Sequence, residues 1–383
     1  MRSAFQLAWR QLSDNGWRLL AATAGVAFAA VLMLVQNGLL EALFTSVTRL
    51  YASARADLVL ISPQYQSQLA SGSFPRRRLY QALGVAGVRK VVPLYLGDAA
   101  WRNPLTRSRR DISVVAFRPQ PGLFDLPGVD EGIPSILFSD SVLFDRGSRP
   151  EYGPVPELLA RGPVETEIGG KHNAVRGLFF LGASFASDGT VLTSDMNFFR
   201  IEPGQRSDQV SLGFVFLDRD APVDTARSQI RLLIGNDARV LTRQELVDKE
   251  KSFWNDSLPI GFVLSMNMLL GLIIGTVIVY QILYTAVLDS LPEYATLKAL
   301  GYRDAYLYQV VLNQALILSL LGFLPGYASS LVVYAVTRRL ALLPLRMTAL
   351  RVAGVYALTV LMCAVGGTLA TRKLRLADPA EIF

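Results

Sequence analysis

Four long apolar runs contain no Asp, Glu, Lys, Arg or His, and they occupy residues 19–40, 259–288, 306–337 and 352–371. Each run is long enough to cross the roughly 30 Å of hydrocarbon in a bilayer as an α-helix. The alternative for any single run is a buried helix in the core of a soluble protein. Four such runs in one chain, which has 51% hydrophobic residues, favour four membrane-spanning helices.

The first run could instead belong to a cleaved signal peptide, because Ala52-Ser53-Ala54 resembles a cleavage site. The run is longer than the roughly 7–15 apolar residues of a signal peptide, and the small residues lie well beyond its end. We therefore expect the first span to be retained as a membrane anchor.

Basic residues near the ends of the spans indicate the orientation of the chain. They flank the first and last spans on the side of the termini: Arg2, Arg10, Arg18, Arg372, Lys373 and Arg375. Because positive charge is enriched in cytoplasmic segments, we expect a multi-pass protein of the inner (plasma) membrane with both termini in the cytoplasm. Against this rule, four arginines fall in a short loop on the opposite side: Arg338, Arg339, Arg346 and Arg351.

This orientation divides the chain into nine predicted segments. They are an amphipathic cytoplasmic or interfacial helix (1–18), the first span (19–40), a periplasmic domain (41–258), the second span (259–288), a cytoplasmic coupling helix (289–305), the third span (306–337), a short periplasmic loop (338–351), the fourth span (352–371) and a cytoplasmic tail (372–383). The predicted fold class is an α-helical membrane protein with four transmembrane helices and a large periplasmic α/β domain inserted between helices 1 and 2.

The periplasmic region is rich in Pro, Gly and charged residues and contains short β-favouring runs. The predicted strands are residues 57–61, 90–96, 112–117, 210–217 and 240–241, with a helix over 223–233. Strand, helix and strand in this order are typical of a small α/β sandwich. Residues 121–207 look loop-rich, so we expect them to form an irregular insertion.

The segment between the second and third spans predicts a short helix with defined ends. Ser290 and Glu293 have the spacing of a capping box, in which each side chain bonds the other residue's amide. Pro292 suits the first turn, and Gly301 suits the left-handed position just after the last turn. A helix this short is not stable alone, so it must dock on lipid or on a protein partner.

The residues of this segment resemble a known family. Glu293-Tyr294-Ala295-Thr296-Leu297-Lys298-Ala299-Leu300-Gly301 is similar to the cytoplasmic motif of permeases of the MacB, LolC and FtsX superfamily. Asp378-Pro379-Ala380-Glu381 resembles the C-terminal signature of that superfamily. The order of one span, a large periplasmic domain and three further spans is also similar. Within the superfamily, the length and the motif wording look most like DevC-type permeases.

The resemblance implies a dimeric membrane subunit of an ATP-driven ABC exporter, and we expect a homodimer. Such a subunit transmits the motion of a separate ABC ATPase to a periplasmic membrane-fusion adaptor and a TolC-like outer-membrane channel, with glycolipid or another amphiphile as cargo. The chain itself is expected to bind no cofactor, because ATP belongs to the partner. The residues expected to couple to the ATPase are Glu293, Tyr294, Leu297, Lys298, Leu300 and Gly301. Glu293 either pairs with a basic residue of the partner or caps its own helix.

Other function classes have less support in the sequence. Gly169-Gly170-Lys171-His172 lacks the spacing of a phosphate-binding loop, and no paired carboxylates, activated nucleophile or metal-ligand spacing is present, so we expect no enzyme activity. The net charge of +7 comes with basic clusters in the periplasmic domain, so we expect no nucleic acid. We expect these clusters to form a solvated face, with contact to anionic membrane lipid or to substrate as the alternative. The alternative function is an FtsX-like transmembrane regulator of a periplasmic hydrolase.

Overall fold

The computed structural model describes residues 2–374, so the signature at Asp378-Pro379-Ala380-Glu381 lies outside the described residues. The chain forms two compact units. Within the described residues, one comprises 2–42, 260–340 and 345–374, and is called here the membrane unit. The other comprises residues 43–259 and 341–344, and is called here the sheet domain.

The helices are α1 Arg2–Ser13, α2 Gly16–Ala52, α3 Arg76–Ala82, α4 Val129–Gly132, α5 Val155–Leu159, α6 Asp195–Ile201, α7 Val223–Ile234, α8 Arg243–Ser252, α9 Pro259–Asp289, α10 Leu291–Ala299, α11 Asp304–Ala341 and α12 Ala349–Leu374. The strands are β1 Leu58–Ile61, β2 Phe74–Pro75, β3 Val88–Arg102, β4 Arg109–Phe117, β5 Ser141–Asp145, β6 Val164–Ile168, β7 Lys171–Phe179, β8 Thr190–Ser194, β9 Gln209–Val210, β10 Leu212–Leu217 and β11 Arg239–Thr242.

Within residues 2–374, four helices are long and apolar enough to cross a membrane: α2, α9, α11 and α12. This confirms the predicted fold class of four apolar helices with an α/β domain between the first and the second. All four helices extend beyond the uncharged runs, and α2 extends furthest, since it continues to Ala52. The chain is a multi-pass membrane protein.

Glycines let the helices of the membrane unit approach closely. A Cβ added at Gly326 would lie 2.8 Å from the carbonyl oxygen of Ala27, and one at Gly275 would lie 2.8 Å from the Cβ of Ala29. Both contacts bring α9 and α11 against α2 within one chain. Because lipid provides no hydrophobic force between helices, such close packing supplies much of the attraction between them.

Arg351, one of the four arginines that contradict the charge rule, is buried at the start of α12. Its guanidinium forms an ion pair with Glu41 of α2, and its Nε donates to Asn37 Oδ1 at 3.0 Å. Its Nη1 donates to the hydroxyl of Tyr334 on α11 at 3.2 Å. A charged side chain that is paired and hydrogen-bonded in this way can be buried near the end of a membrane-spanning helix. Arg351 therefore ties three helices together.

The sheet domain is built on nine strands in the order β11-β1-β10-β3-β4-β8-β5-β7-β6. Alternate residues of a strand point to opposite faces, so Leu58 and Leu60 enter one apolar cluster while Val59 and Ile61 enter another. On the first face lies α7, which buries Ala226, Ile230 and Ile234 at a spacing of four. The two faces together give the domain its α/β core.

The expectation of an irregular insertion over residues 121–207 was wrong. This stretch contributes β5, β6, β7 and β8 to the same sheet as the flanking strands. In addition, β6 pairs with the far end of β3 at Trp101 and Arg102, which closes six strands into a ring. The short strands are separated by many turns, so they lack the long alternation that marks a strand in sequence.

A buried carboxyl group joins two helices at one end of the sheet domain. Glu250 of α8 is 0% exposed, and its Oε1 accepts a hydrogen bond from the hydroxyl of Tyr65, whose oxygen also lies 3.1 Å from the hydroxyl oxygen of Tyr51. Tyr51 lies in the last turn of α2. Burial raises the pKa of Glu250 to about 7. The carboxyl group is therefore protonated at mildly acidic pH.

Cysteine labelling tests the orientation. After Cys363 is replaced, Ser207→Cys should react in intact cells with a thiol reagent that crosses the outer but not the inner membrane, because Ser207 is exposed in the sheet domain. Ala305→Cys, exposed at the start of α11, should react only after the inner membrane is opened. Labelling of Ala305→Cys in intact cells would contradict cytoplasmic placement of this segment.

The pH dependence of stability tests the Glu250 cluster. A raised pKa in the folded state means that folding takes up a proton, so stability falls as pH rises from 4.5 to about 7 and then levels off. Between these pH values the parent protein should lose about 3 kcal/mol of its free energy of unfolding. Glu250→Gln cannot titrate and should not lose it, so at pH 8 its melting temperature should be about 8 °C above that of the parent protein.

Thermal unfolding of the full chain in detergent at pH 5 and pH 8 measures this difference. The matched control is Glu157→Gln, at an exposed position in α5. An equal response to pH in the parent and in Glu250→Gln would refute a titrating carboxyl group in this cluster.

Candidate functional site

The short helix α10 lies between α9 and α11 in the chain and ends at a defined stop. Gly301 adopts a left-handed conformation with φ of +89°. Its amide donates to the carbonyl of Lys298 at 3.0 Å, and the next amide, of Tyr302, donates to the carbonyl of Leu297 at 3.1 Å. These two bonds form a Schellman motif. They satisfy carbonyl groups that a helix end otherwise leaves unpaired.

The other end of α10 is not capped as the sequence suggests. Ser290 makes no side-chain capping bond, so the expected capping box with Glu293 is absent. The amide of Ser290 donates instead to the carbonyl of Ala286, and the amide of Tyr294 donates to the carbonyl of Ser290. Helical bonding thus continues from α9 almost directly into α10. Glu293 therefore has no free amide at position 290 to accept from.

The carboxylate of Glu293 instead contacts the N-terminal helix α1. Gln11 Nε2 donates to Glu293 Oε2 at 2.8 Å. The Oε1 atom of Gln11 accepts two further bonds, from the hydroxyl of Tyr294 at 3.0 Å and from Nε2 of Gln314 at 2.9 Å. One side chain of α1 thereby contacts both α10 and α11.

Two side chains of α10 face the interior of the membrane unit. Tyr294 is 1% exposed, and Leu297 packs against the apolar cluster that contains the buried residues of α1 and α11. Burial raises the pKa of Tyr294 to about 12, so its hydroxyl remains a neutral donor to Gln11. These two residues hold α10 in place; Tyr294 is fully buried, whereas Leu297 is half-buried and keeps part of its side chain exposed.

The opposite side of α10 is exposed and forms a continuous stripe. It consists of Pro292, Glu293, Thr296, Ala299 and Leu300, and is called here the exposed stripe. Positions three and four apart lie on one face of a helix, so these residues are neighbours. Leu300 is 72% exposed at the end of the stripe. A large apolar side chain in this position suits contact with another protein.

Two ion pairs lie beside α10. Lys298 Nζ is 2.9 Å from Asp304 Oδ1, so this lysine is paired within the chain. Arg18 at the start of α2 pairs with Asp289 at the end of α9. All four side chains are partly exposed, and such pairs typically contribute less than about 1 kcal/mol. They therefore orient the segment more than they stabilise it.

The six predicted coupling residues have different roles in the structure. Only Glu293 and Leu300 belong to the exposed stripe. Tyr294 and Leu297 face inwards, Lys298 pairs with Asp304, and Gly301 forms the helix stop. Sequence reasoning missed Gln11, whose position flanks the buried series Ala4, Ala8 and Leu12 of α1. The sequence feature that could have identified Gln11 is its position as a polar residue beside the apolar face of an amphipathic helix.

Comparisons with known proteins give one match to a family. Residues 265–379 match the sequence model of the family described as FtsX-like permease C-terminal. The matched region includes α10, α11, α12 and most of α9. No curated protein matches the sequence.

Two solved structures are similar to part of the chain. One is the periplasmic region of MacB from Actinobacillus actinomycetemcomitans, with 9% identity, a TM-score of 0.37, and coverage of 51% of this chain and 92% of that one. The other is the extracellular domain of the noncanonic ABC-type transporter YknZ from Gram-positive bacteria, with 15% identity, a TM-score of 0.34, and coverage of 49% and 99%.

Replacing the glycine that ends α10 tests its backbone role. Gly301→Ala should cost about 1–2 kcal/mol of local stability, because a side chain disfavours the left-handed conformation. Its added Cβ would meet no atom within 4 Å, so a packing clash does not contribute. Hydrogen exchange of residues 291–302 should be about tenfold faster. Gly16→Ala, which also has open space but no positive φ, is the matched control and should leave this exchange unchanged.

Proposed function

We propose that this chain is the membrane permease subunit of an ATP-driven ABC exporter. The observation that carries the proposal is the match of residues 265–379 to the FtsX-like permease family. Within the matched region, a short helix whose exposed stripe ends in the large apolar side chain of Leu300 lies between two membrane-spanning helices. A separate ABC ATPase docks on the exposed stripe and supplies the energy. The chain acts without a catalytic site or cofactor of its own.

The short helix has a direct covalent path to the spans on both sides. Because helical bonding continues from α9 almost into α10, a displacement of α10 moves the end of α9. On the other side, only four residues separate Ala299 from the start of α11 at Asp304. The ATPase thus acts on α9 and α11 together. This supports a role in mechanotransmission for the membrane unit.

The periplasmic side of the proposal concerns partners of the sheet domain. The sheet domain works with a membrane-fusion adaptor and a TolC-like outer-membrane channel, and the chain functions as a homodimer. The motif at residues 293–302 resembles that of DevC-type permeases, which favours glycolipid or another amphiphile as cargo. The continuous helix α2 supports transmission to the sheet domain, since residues 16–42 belong to the membrane unit and residues 43–52 to the sheet domain.

ATP hydrolysis separates the permease from its energy source. The purified chain should hydrolyse no ATP, whereas the complex with its ATPase should, because the chain lacks a phosphate-binding loop with its lysine. The measurement is phosphate release from the chain, the ATPase and their complex. ATP turnover by the isolated chain at a rate comparable to that of the complex would contradict the proposal.

A charge placed on the exposed stripe tests the docking surface. Leu300→Asp should weaken co-purification of the ATPase at least tenfold, because burying a carboxylate in an apolar contact costs several kcal/mol. Leu350→Asp is the matched control, since Leu350 is also exposed but lies at the start of α12, at the other end of the spans. Leu297→Asp is a poorer test, because Leu297 is half-buried against the chain's own apolar cluster and its replacement would also disturb that packing. Equal loss of binding in Leu300→Asp and Leu350→Asp would exclude a specific contact.

A further inference from the structure

Three side-chain hydrogen bonds converge on Gln11 of the N-terminal helix. Two involve α10, through Glu293 at 2.8 Å and Tyr294 at 3.0 Å. The third involves α11, through Gln314 at 2.9 Å. Tyr294 and Gln314 are each 1% exposed, so their two bonds to Gln11 are shielded from water, whereas the bond from Gln11 to Glu293 lies at the exposed edge of the network. Buried polar groups of this kind are costly to leave unpaired.

The chemistry of the partners fixes the orientation of the Gln11 amide. A carboxylate only accepts hydrogen bonds, so the NH₂ group of Gln11 must face Glu293. Its carbonyl oxygen then accepts from Tyr294 and Gln314, which uses both lone pairs. Turning the amide over would place its oxygen against the carboxylate of Glu293. The four side chains therefore form a network with one favourable arrangement of donors and acceptors.

Helix α1 is itself fixed to the membrane unit. Ala4, Ala8 and Leu12 are buried in the apolar cluster, on one face of the helix. Gln11 therefore extends from an element that is held by packing. Its bond to Glu293 links the exposed stripe to this fixed element, whereas Glu293 makes no capping bond within α10.

We propose that the Gln11–Glu293 bond is a latch that positions α10 for the ATPase, with Gln11 as a positioning residue. The latch gives Glu293 a role distinct from capping and from pairing with a partner. The effect of the latch on ATPase docking rests on the proposed function, whereas the Gln11–Glu293 bond belongs to this chain alone. It connects the N-terminal helix to the coupling surface.

A double-mutant cycle tests the latch in the isolated chain. Gln11→Glu places a carboxylate against Glu293, so hydrogen exchange of residues 291–301 should become about tenfold faster. Glu293→Gln retains an acceptor for the Gln11 amide, so alone it should change exchange by less than about threefold. In the double variant, the new amide at position 293 can donate to the new carboxylate at position 11, which still accepts from Tyr294 and Gln314. Exchange in the double variant should return to within about twofold of the parent protein.

The same type of substitution at another glutamine of α1 serves as the control. Gln6→Glu changes an exposed residue of the same helix and should leave exchange of residues 291–301 unaltered. Two results would overturn the latch. Gln11→Glu could accelerate hydrogen exchange of residues 291–301 equally with Glu or with Gln at position 293, or it could leave this exchange unchanged with both. Because the cycle compares Gln11→Glu on two backgrounds, general unfolding by this variant would appear as failure of the double variant to recover.

Binding to the ATPase is measured separately in the same four proteins. With the latch intact, the parent and the double variant should co-purify with the ATPase equally, and Gln11→Glu should bind at least about threefold less. If the exchange cycle behaves as expected but no variant or parent binds an ATPase, the proposed function fails and the latch stands. If binding is normal and exchange shows no recovery, the latch fails and the proposed function stands.

Discussion

The hydrocarbon interior of a bilayer offers no hydrogen-bond partner to a backbone amide or carbonyl group, and this constraint governs the membrane unit. Each spanning segment must satisfy its own backbone, which it does as a continuous helix. The same constraint explains why Arg351 is buried among hydrogen-bond acceptors and faces Glu41. A second property of lipid, that it provides no hydrophobic force between helices, accounts for the close contacts at Gly275 and Gly326, where packing supplies the attraction.

Features with a strong local cause could be predicted from the sequence. The uncharged runs identified all four apolar helices, and Gly301 has the left-handed conformation expected at a helix stop. Features that depend on how a residue bonds to a neighbouring element or to a distant one could not be predicted. The capping box at Ser290 is absent because the helical bonding of α9 continues through that residue. The ring of six strands, four of which lie within residues 121–207, depends on pairing of β6 with β3, about 65 positions apart in the chain.

The candidate site shows the same division between local and distant causes. The motif at residues 293–301 located a helix between two spans, but it did not separate residues that hold the helix from residues that face outwards. Burial of Tyr294 and packing of Leu297 make that separation, and leave Leu300 as the large apolar side chain of the exposed stripe. Gln11 was missed because it lies about 280 residues away from Glu293 in the sequence.

Photo-crosslinking from the exposed stripe tests the central claim most directly, since it detects contact without relying on loss of function. A photoreactive amino acid at position 300 should crosslink to the ATPase in membranes that contain both proteins. The same amino acid at position 350, exposed at the start of α12, should not. Absence of a crosslink at position 300 in a complex that hydrolyses ATP, or equal crosslinking at position 350, would contradict docking of the ATPase on α10.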